Sequence, residues 1–274
     1  MDPARLNLTT KILGYGRLLF VHLEAGAADG RLIAELEALG AGYENMHFVD
    51  GYPGDDAFAR GRFQYLRAEP ALGSAWDLED RGMSRAPVLI RLEGRALEPL
   101  LAYERALRTA IERRGGEVHT RAGVQKERSY TSHAMTQFAY APAFGPKTGA
   151  VCPFGVVTPQ SKTPEWWAMD WMRRESFFLP RYDDQGRVLA KGHALASAAG
   201  IPCITRRLLH NADGYGVAPG YDFIGYFEFS ETDAPTFREV MAALRDRKEN
   251  PEWMYVREGP EWWGRRVGHP EELW

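Results

Sequence analysis

Apolar residues in this chain recur with two periods, and the switches between them lay out its elements. Leu18 to Leu23 is an apolar run of strand length, interrupted only by His22. From Ala28 to Leu39 the apolar positions Leu32, Ile33, Leu36 and Leu39 take helical spacing, and Gly40 supplies a stop. Asn45 to Tyr52 and Phe63 to Arg67 read as strands, and Pro87 to Leu92 as a stronger one. A long helix is expected from Ala96 to Arg114, ended by Gly115-Gly116. From Ser129 to Lys147 the period is lost among prolines, glycines and aromatics, which marks a boundary.

The second half repeats the order. Val151 to Val157 reads as a strand, and Pro164 opens a helix at the position where proline is tolerated. Pro202 to His210 and Tyr221 to Phe229 read as strands. Pro235 to Glu249 reads as a helix closed by Asn250-Pro251, with a last strand inside Trp253 to Val267. Each half thus runs roughly strand, helix, strand, strand, helix, strand, the ferredoxin-like order taken twice. The expected fold is α+β, with an N-terminal unit over 1–145 and a C-terminal unit over 146–274. Each unit would place an antiparallel sheet under helices on one face. The second face of each sheet then needs a cover, either a cofactor or another sheet.

Composition narrows the function classes. Of 274 residues, 45% are hydrophobic and 26% charged, as in ordinary globular proteins. A formal charge of -3 gives no reason to expect a nucleic-acid partner. Two cysteines, Cys152 and Cys203, make neither a disulfide framework nor a zinc motif. Met1 to Leu8 has no basic segment leading into a long apolar stretch, and Leu18 to Leu23 is too short to cross a bilayer. No membrane partner is expected, and a cytoplasmic location is the default. Gly14-Tyr15-Gly16 and Gly214-Tyr215-Gly216 are turns without the third glycine of a dinucleotide site. The tryptophan pairs Trp166-Trp167 and Trp262-Trp263 fill a core or line a flat aromatic cofactor.

Three residues stand out as candidate chemistry. Strand alternation puts Arg206 on one face with Ile204, Leu208 and His210. An arginine there is either salt-bridged, extended to solvent along its stem, or placed to meet an anion. His193 opens a short helix of small residues that ends at Gly200, where it is either a plain capping residue or a metal ligand. Glu249, at the end of the last predicted helix, opposes the helix dipole. It is either solvated or holds a donor such as an imidazole N–H.

In this order the residues resemble the chlorite dismutase family of haem proteins. The resemblance runs from Lys162 through Trp166-Trp167-Ala168-Met169-Asp170 to His193. It continues through Arg206-Arg207-Leu208-Leu209-His210-Asn211, Tyr221 to Glu228, and Arg247-Lys248-Glu249-Asn250. The first half fits more loosely, at Pro87 to Arg114 and around Tyr130. The resemblance implies a dimeric α+β barrel with haem b in the C-terminal half. It implies that His193 is the proximal iron ligand, that Glu249 is the carboxylate bonded to it, and that Arg206 is the distal arginine. Lys162, Trp166, Trp167 and Tyr130 would surround the haem and its propionates. A small anionic or oxidant substrate is expected, with chlorite converted to chloride and O2 through a ferryl intermediate. A homo-oligomer is expected, a pentamer first.

Departures from the family pattern keep other reactions in view. The stretch from Trp167 to His193 is about a dozen residues longer than in typical members, and Asp183-Asp184-Gln185-Gly186 reads as an inserted turn. Gly192 precedes the ligand where an acid is common. Leu209 stands where many relatives have tyrosine, and Glu258 where several have tryptophan. The alternatives are a peroxidase-like or aldoxime dehydratase-like reaction on the same scaffold, coproheme decarboxylation, or haem binding without turnover. Thr158 stands where the decarboxylases usually carry tyrosine.

Overall fold

The structure, a computed structural model, describes residues 11–48, 61–70, 73, 77–126, 132–144, 152–217 and 220–274. The first half supplies β1 (Ile12–His22), α1 (Gly30–Gly40), β2 (Arg62–Ala68), β3 (Val88–Gly94), α2 (Leu97–Glu112) and β4 (Glu117–Lys126). The second begins with β5 (Phe154–Lys162), α3 (Pro164–Ala168), α4 (Trp171–Ser176), β6 (Arg181–Tyr182), β7 (Val188–Ala190) and α5 (Gly192–Ser197). It closes with β8 (Thr205–His210), β9 (Phe223–Phe229), α6 (Ala234–Arg245), β10 (Val256–Glu258) and β11 (Trp262–Val267).

The first-half strands lie in the order β4-β1-β3-β2 and the second-half strands in the order β8-β9-β5-β11. All these neighbours are antiparallel. β2 pairs with β11 from Tyr65 to Ala68, and β4 meets β8 at Val124 and His210. The two four-stranded sheets therefore close on each other as an eight-stranded barrel, and each sheet is the cover for the other.

Alternation sorts the side chains of this barrel into two sets. Leu18, Phe20, Leu66, Leu89, Val157, Leu209, Ile224 and Trp262 fill the interior from both halves. Leu19, Val21, Ile90 and Leu92 point outward under α1 and α2. Val156, Ile204, Phe229 and Trp263 point outward under α6. The buried face of α6 is Phe237, Val240, Met241 and Leu244, spaced as an amphipathic helix requires.

Several elements differ from their sequence expectation. β4 carries few apolar residues, so alternation does not reveal it; pairing along most of β1 creates it. The strand expected over Asn45 to Tyr52 is a short bridge at Glu44–Asn45, and positions 49–52 lie outside the described residues. The boundary expected at 145/146 also lies outside them. α6 ends at Arg245, not at Glu249: Asp246 leaves helical geometry, and its carboxylate accepts the Lys248 N–H at 2.9 Å. Among the described residues no helix is long and apolar enough to cross a membrane.

The barrel interior also holds charge. Arg91 is 2% exposed and pairs with Glu93 and, at 3.2 Å, with Glu228. Tyr226 donates to the same Glu228 at 2.8 Å and lies under the Arg91 guanidinium, 3.9 Å from its centroid. Arg266 reaches Glu228 at 3.5 Å and Gln64 at 2.8 Å. Breaking one member of such a set leaves buried charge without compensation. Arg91→Ala is expected to cost about 3–5 kcal/mol in chemical unfolding. A loss below about 1 kcal/mol would show that the set is neutral to stability.

Candidate functional site

The helix-covered side of the second sheet holds a cavity between β5, β8, β9, α5 and α6. His193 and Arg206 both line it, with Ile201, Ile204, Phe227 and Met241 giving it apolar walls. Thr158 and Gln160 reach it from β5. Alternation along β8 does what the sequence requires of it. Arg206 turns to the cavity, whereas Leu209 turns into the barrel interior against Gly16.

His193 is positioned by backbone contacts that converge on the start of α5. The Ala194 N–H donates to the Phe178 carbonyl at 2.9 Å, and the Gly192 N–H to the Glu249 carbonyl at 3.0 Å. Gly192 has φ +58°, and a Cβ there would lie 2.4 Å from the Leu179 oxygen. A glycine is therefore required where the family pattern favours an acid. The segment that sets this entry contains the turn expected at Asp183-Asp184-Gln185-Gly186. It folds as α4 followed by the β6–β7 hairpin, whose turn Asp183 closes by accepting the Gln185 and Arg187 N–H groups at 2.9 Å.

Behind the cavity lies a buried ionic array. The Nδ1–H of His193 donates to Glu252 Oε2 at 2.8 Å. Lys162 Nζ donates to Glu252 Oε1 at 2.5 Å and lies 4.3 Å from the centroid of the Trp166 ring. Trp166 is 2% exposed and packs on Phe177, Phe178 and Tyr255. Burial alone would push the Glu252 carboxyl up, but Lys162 and His193 outweigh it and bring its pKa down to about 2. Burial holds the His193 pKa below its usual value, and the Arg206 and Lys162 charges act in the same direction against Glu252. The ring is therefore neutral at pH 7, the form that binds metals.

Asp222 ties a second tryptophan to this array. Its Oδ2 accepts the Lys162 N–H at 2.7 Å and the Trp167 indole N–H at 3.2 Å. Trp167 stacks flat on Tyr215, with centroids 4.7 Å apart and planes 3° apart.

The structure thus gathers Lys162, Trp166, Trp167, His193 and Arg206 at one site. It corrects Glu249. Because α6 stops at Arg245, Glu249 falls in the following turn, with its carboxylate 4.0 Å from Lys191 Nζ. The carboxylate that reaches His193 is Glu252, three residues later, in the 3-10 helix Pro251–Tyr255. Sequence reasoning also missed Asp222, which shows only as one acid within a matched strand. Tyr130 lies outside the described residues. Glu258 is away from the cavity, held by Arg245 at 2.9 Å and by the Trp253 indole at 3.1 Å. The departures at Leu209 and Glu258 therefore alter packing and not the cavity wall.

The donor set has a definite chemistry. Among the described residues no group of three or more His, Cys, Asp or Glu side chains could hold a bare metal ion. A lone imidazole with its second nitrogen fixed to a carboxylate, beside an apolar cavity, suits iron that brings its own equatorial ligands. The residues present fit haem in that respect.

Comparison with known proteins agrees on the fold. The chain matches a mutant chlorite dismutase from Candidatus Nitrospira defluvii with a TM-score of 0.66 and 19% identity, covering 98% of each chain. A second mutant of that protein, in complex with cyanide, gives 0.66 and 19% over 98% of this chain and 96% of the other. The chlorite dismutase of Candidatus Nitrospira defluvii in complex with imidazole gives 0.65 and 19% over 98% of this chain and 97% of the other. No family model and no curated relative matches the sequence. The chain has the chlorite dismutase fold.

The corrected array is testable in the unliganded protein. Glu252→Gln leaves Lys162 buried without its carboxylate and is expected to cost about 3–5 kcal/mol in chemical unfolding. Glu249→Gln is expected to change stability by less than about 0.5 kcal/mol. The reverse ranking would restore Glu249.

Proposed function

We propose that this chain is a haem b enzyme of the chlorite dismutase family that converts chlorite to chloride and dioxygen. One observation carries the reading: the Lys162–Glu252–His193 array backs the same cavity that Arg206 lines, in a fold shared with chlorite dismutases. His193 would ligate the haem iron. Lys162, Trp166 and Trp167 flank the proposed cofactor. Bound haem would supply redox-active iron able to take an oxygen atom from a small oxyanion.

The chain's own residues have separable tasks. Glu252 accepts the Nδ1 proton of His193, which leaves Nε2 as the ligand atom and makes the ring a stronger donor. Lys162 keeps Glu252 ionised inside the protein. Arg206 supplies a fixed positive charge that attracts chlorite and retains the chlorine oxyanion fragment until O2 forms. Chlorite to chloride plus O2 balances without added protons or electrons. Such a reaction requires a cation that does not titrate more than a general acid, and arginine meets that need. Among the described lining residues His193 and Arg206 are the ionisable ones, and Thr158 stands where a decarboxylase would carry tyrosine. A homo-pentamer is part of the same proposal.

Purified protein titrated with haem b is expected to give a histidine-ligated absorption spectrum that His193→Ala abolishes. With chlorite on an oxygen electrode, Arg206→Ala is expected to release O2 about a hundredfold more slowly while still binding haem. Failure of the wild type to bind haem would overturn the cofactor assignment. Haem binding without O2 release would overturn the reaction alone.

A further inference from the structure

We infer that Arg174, in the inserted segment, is a clamp for a carboxylate of the bound porphyrin, a haem propionate. The inference rests on the haem reading above and adds a residue to it. Arg174 belongs to α4 and is 7% exposed. Its Nε is buried with no hydrogen-bond partner, and among the described residues no carboxylate forms an ion pair with its guanidinium. The group lies over the face of Trp167, with Cζ 5.7 Å from the ring centroid. A guanidinium does not shed its proton, and a buried cation without an anion is unfavourable.

The neighbouring acids form no ion pair with it, although the Asp170 charge acts on it and Glu175 Oε1 is itself buried without a hydrogen-bond partner. Asp170 Oδ1 caps α4 by accepting the Arg173 N–H at 2.9 Å. Asp222 accepts from Lys162, Trp167 and Gly216. Glu175 is adjacent in sequence and so projects from another side of the helix, where it accepts the Ser132 N–H at 3.0 Å. Among the described residues no carboxylate completes the pair, and a bound ligand can supply one.

Position identifies which anion fits. Phe178, four residues after Arg174, packs edge-on against His193 with centroids 5.8 Å apart. Trp166, next to the Trp167 that Arg174 covers, packs on the same Phe178 at 5.9 Å. Arg174 thus lies over Trp167, whose indole shares Asp222 with Lys162 of the array behind the proposed iron ligand. Haem b carries two propionates, and a planar carboxylate matches the guanidinium fork in two parallel hydrogen bonds. Arg174 falls in the stretch that is longer here than in typical family members. The insertion would then contribute a cofactor contact besides entering α5.

The experiment compares haem b with its dimethyl ester, in which both propionates are masked, by absorption titration of the full-length protein. Wild type is expected to bind haem b about tenfold to a hundredfold more tightly than the ester. Arg174→Gln is expected to weaken haem b by a similar factor and leave the ester unchanged. In the absence of haem, Arg174→Gln is expected to melt at the same temperature as wild type or higher, because an uncompensated buried cation is gone. Unchanged haem b affinity in Arg174→Gln, or preserved discrimination between the two porphyrins, overturns the clamp while the haem reading stands. A clear loss of melting temperature in the unliganded variant assigns Arg174 to structure and also overturns it. If wild type binds neither porphyrin, the haem reading fails and takes the clamp with it.

Discussion

A carboxylate is buried behind His193, and the site is built to keep it ionised. Glu252 is 3% exposed, and a charge so placed is retained only with a cation and hydrogen bonds to satisfy it. Lys162 at 2.5 Å supplies the cation, and the His193 N–H at 2.8 Å supplies the second bond. These contacts join the end of β5, the start of α5 and the 3-10 helix Pro251–Tyr255, three segments far apart in sequence. They also choose the tautomer of His193. Trp166 and Asp222, the latter itself held by the Trp167 indole, then brace Lys162 from its other sides.

The location of the cavity follows from how the barrel closes. The interior is filled by apolar side chains from both sheets and by the Arg91–Glu93–Glu228 set. The cavity that His193 and Arg206 line lies on the outer face of the second sheet, under α5 and α6. A strand in that sheet sends alternate residues to each side, so Arg206 reaches the cavity while Arg207 and Leu209 do not. On the proposed reading this gives a small oxyanion one permanent positive charge inside apolar walls. The field is then set by the fold and not by a proton that comes and goes.

Much of this was legible in the sequence because it depends on period and order. The face of β8 that carries Arg206, the proline that opens α3 and the hairpin turn at Asp183 all follow from local rules. The ligand array was only half legible. Lys162, Trp166, Trp167 and His193 appear in recognisable order, but the carboxylate was placed three residues early. That error came from extending the period of α6 past Arg245, where the Asp246 side chain competes for backbone N–H groups and ends the helix. β4 escaped notice because its order comes from pairing with β1 and not from apolar alternation. Gly192 read only as a departure from an acid, whereas its positive φ and the nearby Leu179 oxygen make it a requirement. The strand pairing and the surroundings of Gly192 are non-local contacts that no local pattern encodes, whereas the end of α6 is a local competition hidden by the continuing helical period.

Nitrogen NMR of the histidine side chains, with His193 assigned by substitution, measures the Glu252–His193 contact directly. The expected result at pH 7 in the haem-free protein is a neutral ring whose proton sits on Nδ1 and is hydrogen-bonded, with Nε2 unprotonated. A proton on Nε2, or an imidazolium at that pH, would contradict the assignment of His193 as a ligand prepared by Glu252.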